Sequence, residues 1–268
     1  IVISFAENAI NNNYVMPEIH KDYELILKDS RHPIVEKIES KFIANHCVLD
    51  KNEEFMVITG PNMAGKSTYM RQVALNVILG VIGSFVSFSY AKIPVVNKIF
   101  SRVGAYDDLL HGQSTFMVEM LELANILNTA DEKSLIILDE IGRGTSTYDG
   151  VSIAYSVVEH IIKNIKAKTL FATHYHILND IEKFYEGVVN YNIAIMERED
   201  EIVFLRKIVK GATNKSYGIH VAELAGVPNN VIKRAREIQK EFEIEDKLRD
   251  KVFKMSENIS GKEFLNMN

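Results

Sequence analysis

The chain has 268 residues, 47% of them apolar and 25% charged, proportions that exclude a disordered, collagenous or disulfide-dense chain. Its formal charge of −5, from 36 acidic against 31 basic residues, argues against broad coating of nucleic acid by the chain as a whole. The single cysteine, Cys47, cannot pair within the chain and points to a reducing compartment, the cytoplasm by default. The longest apolar stretch, around Val77 to Val86, is too short and too glycine-interrupted to span a bilayer, so no membrane partner is expected.

Ile1 to Asn11 reads as the apolar-periodic end of a helix that began earlier. The chain is therefore expected to be a fragment of something longer, with residues 1–21 closing a preceding helical domain. Tyr23 to Leu27 is strand-like, and Phe55 to Thr59 is a short apolar run ending on Gly60-Pro61, as a buried strand entering a turn should. From Ser67 to about Val81, the residues Met70, Val73, Ala74, Val77, Ile78 and Val81 share one helical face. Strand-like residues follow at Ile93 to Val103, then a polar stretch, Asp107 to Gln113. Ser114 or Thr115 is placed to cap a helix reaching Leu127.

Leu135 to Leu138 is a continuous apolar run ending in Asp139-Glu140, so both faces of that strand must be covered. A glycine-rich loop, Gly142 to Gly150, precedes a helix over Val151 to Ile165, a buried strand over Thr169 to Thr173, and His174-Tyr175-His176. A hairpin of Val188 to Glu197 against Ile202 to Val209 closes this core. Alternating buried strands and amphipathic helices specify an α/β fold, a mostly parallel central sheet with helices on both faces. Residues 22–213 form this domain. Residues 214–245 outline a helix-turn-helix with Gly226 and Pro228 at its turn, and 246–268 read as a charged tail.

Gly60-Pro61-Asn62-Met63-Ala64-Gly65-Lys66-Ser67 fits the P-loop pattern, in which glycines let backbone N–H groups face inward around phosphates. The helix that follows adds partial positive charge at its N-terminus. Lys66 would meet the β and γ phosphates and the Ser67 hydroxyl would ligate Mg²⁺. A bare match of this kind can be accidental, but a buried strand before it and an amphipathic helix after it are the setting the motif requires. Asp139 and Glu140 could be a plain solvated strand end. Beside a P-loop they read as a metal carboxylate, Asp139, and a general base, Glu140. His174 follows the next strand, at the height where a γ-phosphate would lie, and could polarise it. With His176 it lacks the further ligands of a zinc cage. His20, His32, His46, His111, His160 and His220 have no evident partner and read as structural or solvated.

Taken together, the strings Ser30 to Pro33, Phe42 to Asn45, Thr59 to Gln72, Asp107 to Met120, Leu138 to Gly150, Phe171 to His176 and Ser216 to Pro228 closely resemble the ATPase domain of the MutS family of DNA mismatch recognition proteins. The resemblance covers nearly the whole chain to about Phe242. It implies a P-loop ATPase of the ABC type that hydrolyses ATP with Mg²⁺. It implies nucleotide contacts from Phe42 on the adenine, Ile43, the loop Gly60 to Gly65 including Asn62 at the γ-phosphate, and Lys66, Ser67 and Thr68. It further implies that Ser114 approaches the nucleotide of a second subunit, with Asp149 and the Arg143 to Thr147 loop at the same interface. Other implied partners are mismatched double-stranded DNA, held by parts upstream of Ile1, and a downstream MutL-type repair factor.

Departures are few: Ala64 stands where many relatives carry glycine, and Arg206 lies in a variable segment near the base. A recombination-type homologue or another ABC-type DNA-maintenance ATPase is the rival reading. Against the latter, Gly112 to Phe116 lacks the signature that transporter motors and chromosome-maintenance heads carry. The C-terminal helices, with Lys233, Arg234 and Arg236, could instead read DNA, but the Ile232, Ala235 and Ile238 stripe favours dimerisation.

Overall fold

The computed structural model describes residues 2–61, 64–104, 114–197, 202–213 and 217–242. Asn62, Met63, Asp107 to Gln113 and the tail after 242 lie outside them. The chain divides into two compact units, Ile1–Lys215 and Ser216–Asn268.

In chain order the larger unit contains α1 (Val2–Asn11), β1 (Glu18–His20), β2 (Leu25–Ser30), α2 (Val35–Ile38), β3 (Asn45–Leu49), β4 (Phe55–Thr59) and α3 (Lys66–Val81). There follow β5 (Tyr90–Pro94), β6 (Lys98–Arg102), α4 (Thr115–Thr129), β7 (Ser134–Asp139) and α5 (Thr147–His160). The last elements are β8 (Lys168–Ala172), a 3₁₀ segment (His176–Lys183), β9 (Val188–Glu197) and β10 (Ile202–Lys210). The smaller unit holds α6 (Gly218–Leu224) and a second helix, α7, described over 229–242, with the chain turning between them at Gly226.

Six strands form the main sheet in the order β10-β9-β4-β8-β7-β6, parallel except for the edge strand β10. Every residue of β4 and β8 is buried, as strands covered on both faces require. Alternation divides their side chains between two cores. Met56, Ile58, Leu135, Ile137 and Leu170 point to α3, while Phe55, Val57, Ile136, Leu138 and Phe171 point to α4 and α5.

The α3 face is more than a helical layer. A second, four-stranded sheet, β1-β5-β2-β3, covers α3 from the other side, so the helix lies between two sheets. Leu25, Leu27, Leu49 and Ile93 join Met70, Val73 and Val77 in one core. That position explains why α3 buries polar side chains on the face that turns from the main sheet. Gln72 Nε2 donates to the Ser30 carbonyl and hydroxyl, both at 2.8 Å. Asn76 donates to the Arg31 carbonyl at 2.9 Å and accepts from the Ser87 hydroxyl at 3.0 Å. A buried amide left without these partners would cost about 1–3 kcal/mol, so the network fixes how α3 sits on the second sheet.

Several expected boundaries move for local reasons. The strand-like stretches expected over Ile93 to Val103 are two strands, β5 and β6, which belong to different sheets and are separated at Val95 to Asn97. The helix expected from Val151 starts at Thr147, because the Ser146 hydroxyl caps it by accepting from the Asp149 amide at 3.3 Å. Its last turn, Ile161–Ile165, is π-helical and ends at Lys166 in the left-handed region. Three histidines expected to lack partners have them: the Nδ1 atoms of His20, His32 and His46 each accept a backbone amide.

Candidate functional site

The parallel registers bring the C-terminal ends of β4, β8 and β7 level, with Ile58 beside Ala172 and Ala172 beside Asp139. Loops leaving that edge therefore meet in one place, the usual crevice of an open α/β sheet. Gly60 and Gly65 bound the turn from β4 into α3 at φ +134° and +113°, conformations that side chains rarely adopt. Lys66 is 4% exposed and folds back over the turn, donating from Nζ to the carbonyls of Gly60 at 2.5 Å and Pro61 at 3.1 Å. Burial pulls its pKa down, while Glu140 and Asp139 pull it back up.

Ser67 donates to Asp139 Oδ2 at 2.5 Å, and Asp139 Oδ1 is buried with no hydrogen-bond partner among the described residues. Burial raises the Asp139 pKa, an effect that the Ser67 hydrogen bond opposes. A hydroxyl and an orphaned carboxylate oxygen side by side are the hard donors a small divalent cation takes. Glu140 follows in the left-handed region at φ +54°, its amide held by the Ala172 carbonyl at 2.9 Å and its carboxylate by Arg143 at 2.5 Å. These residues, with Pro61, Thr68 and Gly104, line a cleft of about 330 Å³.

The loop after Glu140 is anchored by a glycine pair. A side chain on Gly142 would strike the Gly150 backbone, one on Gly150 would strike the Tyr175 hydroxyl, and that hydroxyl donates to the Gly142 carbonyl at 2.9 Å. Glu119 on α4 accepts from the Gly142 amide at 2.6 Å, so the loop is tied to α4 as well. Ser114 caps α4 by accepting from the Met117 amide at 3.2 Å and is exposed; it lines neither this cleft nor the pocket beside it. His174 is exposed just beyond β8, its ring 4.1 Å from that of Tyr175. Its pKa is lowered by desolvation, against the pull of Glu140.

A second pocket, of about 200 Å³, shares Gly65 and Thr68 with the cleft, so the two meet at the first turn of α3. Phe42 and Ile43 line it with Val35, Glu39, Asn45, Tyr69, Gln72, Ile193, Arg206 and Ile208. Asn45 holds its walls together: Nδ2 donates to the Ile43 and Arg206 carbonyls, at 3.2 and 3.0 Å, while Oδ1 accepts from the Ile208 amide at 2.8 Å. Arg206 sits at a bulge in β10 with φ +52° and pairs with Glu39 at 3.2 Å. Val35, Glu39 and the Asn45 clamp were not singled out from the sequence. The only signal was Asn45 in the Phe42 to Asn45 string, since its partners lie about 160 residues away.

Of the sequence-predicted residues, Lys66, Ser67, Thr68, Asp139, Glu140 and Pro61 share the cleft, Phe42 and Ile43 share the adjoining pocket, and Gly65 lines both. Gly60 contributes its carbonyl to Lys66, and Ala64 is fully buried, with no room implied for a larger side chain. Asn62 and Met63 lie outside the described residues. Residues 56–243 match the family model described as MutS domain V. The chain belongs to the MutS family. It is 56% identical to a DNA mismatch repair protein MutS of Caldanaerobacter subterraneus over 95% of this chain and 29% of that protein. Proteins of the same name from Methanococcoides burtonii and Clostridium botulinum are 58% and 56% identical, each over 90% of this chain and covering 28% and 26% of those proteins. This chain thus spans under a third of the length of the MutS relatives it matches. No helix among its described residues is long and apolar enough to cross a membrane.

Proposed function

We propose that this chain binds Mg-ATP and hydrolyses it, as the P-loop, ABC-type ATPase domain of a MutS-type DNA mismatch recognition protein. The observation that carries this reading is the convergence of Lys66, Ser67, Asp139 and Glu140 on one cleft that adjoins the Phe42 pocket through Gly65 and Thr68. A nucleotide has this shape: a flat base for the pocket and a charged chain for the cleft. The backbone N–H groups at the start of α3 and the Lys66 ammonium bind the phosphates. Phe42 and Ile43 pack on the base.

Ser67 and Asp139 are the residues that would hold Mg²⁺, which when bound neutralises phosphate charge and fixes the phosphate oxygens. Glu140 takes the proton of the attacking water at its carboxylate, once Arg143 releases it. His174 reads the terminal phosphate from the edge of β8. Ser114 and the N-terminus of α4 complete the site of a second subunit, and the 216–242 helices support that dimer. In the full-length protein the ATP cycle controls the grip on mismatched DNA and engagement of a MutL-type factor, in the cytoplasm.

A site completed across a dimer makes specific ATPase activity rise with protein concentration. Mixing two inactive variants, Lys66→Ala and Ser114→Arg, should restore part of the turnover, since one composite site in each mixed dimer then carries neither defect. Turnover independent of concentration, or no recovery despite demonstrated subunit exchange, would refute the shared site.

A further inference from the structure

At the opposite edge of the main sheet lies a pocket of about 390 Å³, lined by Lys21, Tyr23, Pro94 to Asn97, the start of β7 and Lys168 at the start of β8. None of these residues belongs to the cleft or the base pocket described above. Lys168 is 5% exposed, and among the described residues no acceptor lies within hydrogen-bonding distance of its amine. Its nitrogen sits 3.2 Å from the centroid of the Tyr23 ring and opens on the pocket, one wall of which is Pro94, Val95 and Val96.

A buried amine that lacks an oxygen acceptor to hold its proton and borders a half-apolar space, with only the cation–π contact of Tyr23 favouring its charged form, has the surroundings of a nucleophilic lysine. From this geometry we infer that Lys168 is a modification site, whose amine accepts an acyl group from an activated donor, an acyl phosphate or a thioester. The neutral amine attacks the carbonyl carbon, and a C–N amide bond forms as the C–O or C–S bond to the phosphate or thiolate breaks. The ammonium proton leaves to solvent, and the short acyl chain lies against Pro94, Val95 and Val96.

Burial also lowers the Lys168 pKa to about 8, against the opposing pull of Glu54 and Glu132. Lys21, Asp22 and Lys133 complete the charges facing the pocket. At pH 7.5 about a quarter of the amine is neutral, against about one part in a thousand for an ordinary lysine. Lower basicity takes back part of that gain, leaving an expected advantage of about tenfold.

The test treats the folded chain with acetyl phosphate in one arm and an acetyl thioester in the other, and measures acetylation of each lysine by mass spectrometry over pH 6.5 to 9.5. Lys168 should react about tenfold faster than Lys133 at the same pocket's rim in at least one arm, which also identifies the donor. The Lys168 rate should level off above pH 8, where a lysine of ordinary pKa keeps gaining neutral amine. Glu132→Gln, which removes one opposing charge, should raise the Lys168 rate at pH 7. Lys168 reacting no faster than Lys133 in both arms, or reacting only after denaturation, would overturn the assignment.

Discussion

Lys66, at the start of α3 just beyond β4, and Lys168, at the start of β8, are both buried and lie at opposite edges of the main sheet. At the C-terminal edge Lys66 lies on two carbonyls of its own loop with Asp139 and Glu140 nearby, and these oppose the downward pull of burial on its pKa. At the N-terminal edge Lys168 has an aromatic ring and more distant carboxylates, so its charge is held weakly. Burial costs both ammonium groups solvation. What separates them is whether oxygen atoms are already in place, and that decides whether an edge is built to hold an anion or to tolerate a neutral amine.

The sharpest way to break this contrast is at the C-terminal edge. Glu140→Gln keeps the shape of the side chain and its place beside Arg143 but cannot take a proton. ATP hydrolysis should fall about 10²-fold or more while nucleotide affinity stays within a fewfold, measured by turnover and by titration with a fluorescent nucleotide. Normal turnover would remove Glu140 from the role of base. Lys66→Ala should act on binding instead, weakening ATP affinity about 10- to 100-fold, the worth of a charge-assisted contact to phosphate. An unchanged dissociation constant would mean that the lysine serves only to hold its own loop.

Much of this edge was legible because it is contiguous. A buried strand, a glycine turn and a helix follow one another directly, the apolar run ending in Asp139-Glu140 announces itself on its own, and parallel registers then level their ends. The Phe42 pocket was not legible in the same way, since Asn45 builds it by reading backbone atoms of Arg206 and Ile208, and side-chain-to-backbone contacts leave no spacing pattern. The second sheet was missed for a related reason. Its strands β1, β2, β3 and β5 are short, and β5 stands between the main-sheet strands β4 and β6, so periodicity found some of them but not which sheet each joins. Ser30-Arg31-His32-Pro33 stood out as a string without a physical account. The structure supplies one: Ser30 and Arg31 present carbonyls to Gln72 and Asn76, and His32 Nδ1 accepts the amides of Ile34 and Val35, both at 3.3 Å, at the start of the base pocket.

That network makes a prediction about how rigidly the C-terminal edge is held. Asn76→Ala leaves the Arg31 carbonyl and the Ser87 hydroxyl and amide with a lost or weakened partner in a fully buried place, and should cost about 2–3 kcal/mol in urea unfolding. A loss below about 0.5 kcal/mol would show that α3 is held by its apolar face alone.

The smallest expected effect belongs to the N-terminal edge. The folded-state pKa of Lys168, about 8, lies below the ordinary 10.5, so between those values the unfolded chain binds more protons than the folded one. Stability must therefore rise with pH across that window, and the buried ammonium is a net cost below it. Lys168→Met keeps the length of the side chain and discards the charge. The variant should be about 1–2 kcal/mol more stable than the parent at pH 7, less than the full shift implies because the amine borders an open pocket. Raising the pH should shrink the difference, until little remains near pH 10. Urea midpoints for the pair at pH 7, 8, 9 and 10 measure the trend. Parallel curves would mean that Lys168 keeps its proton across the window, and the contrast between the two lysines would then lie in their neighbours alone.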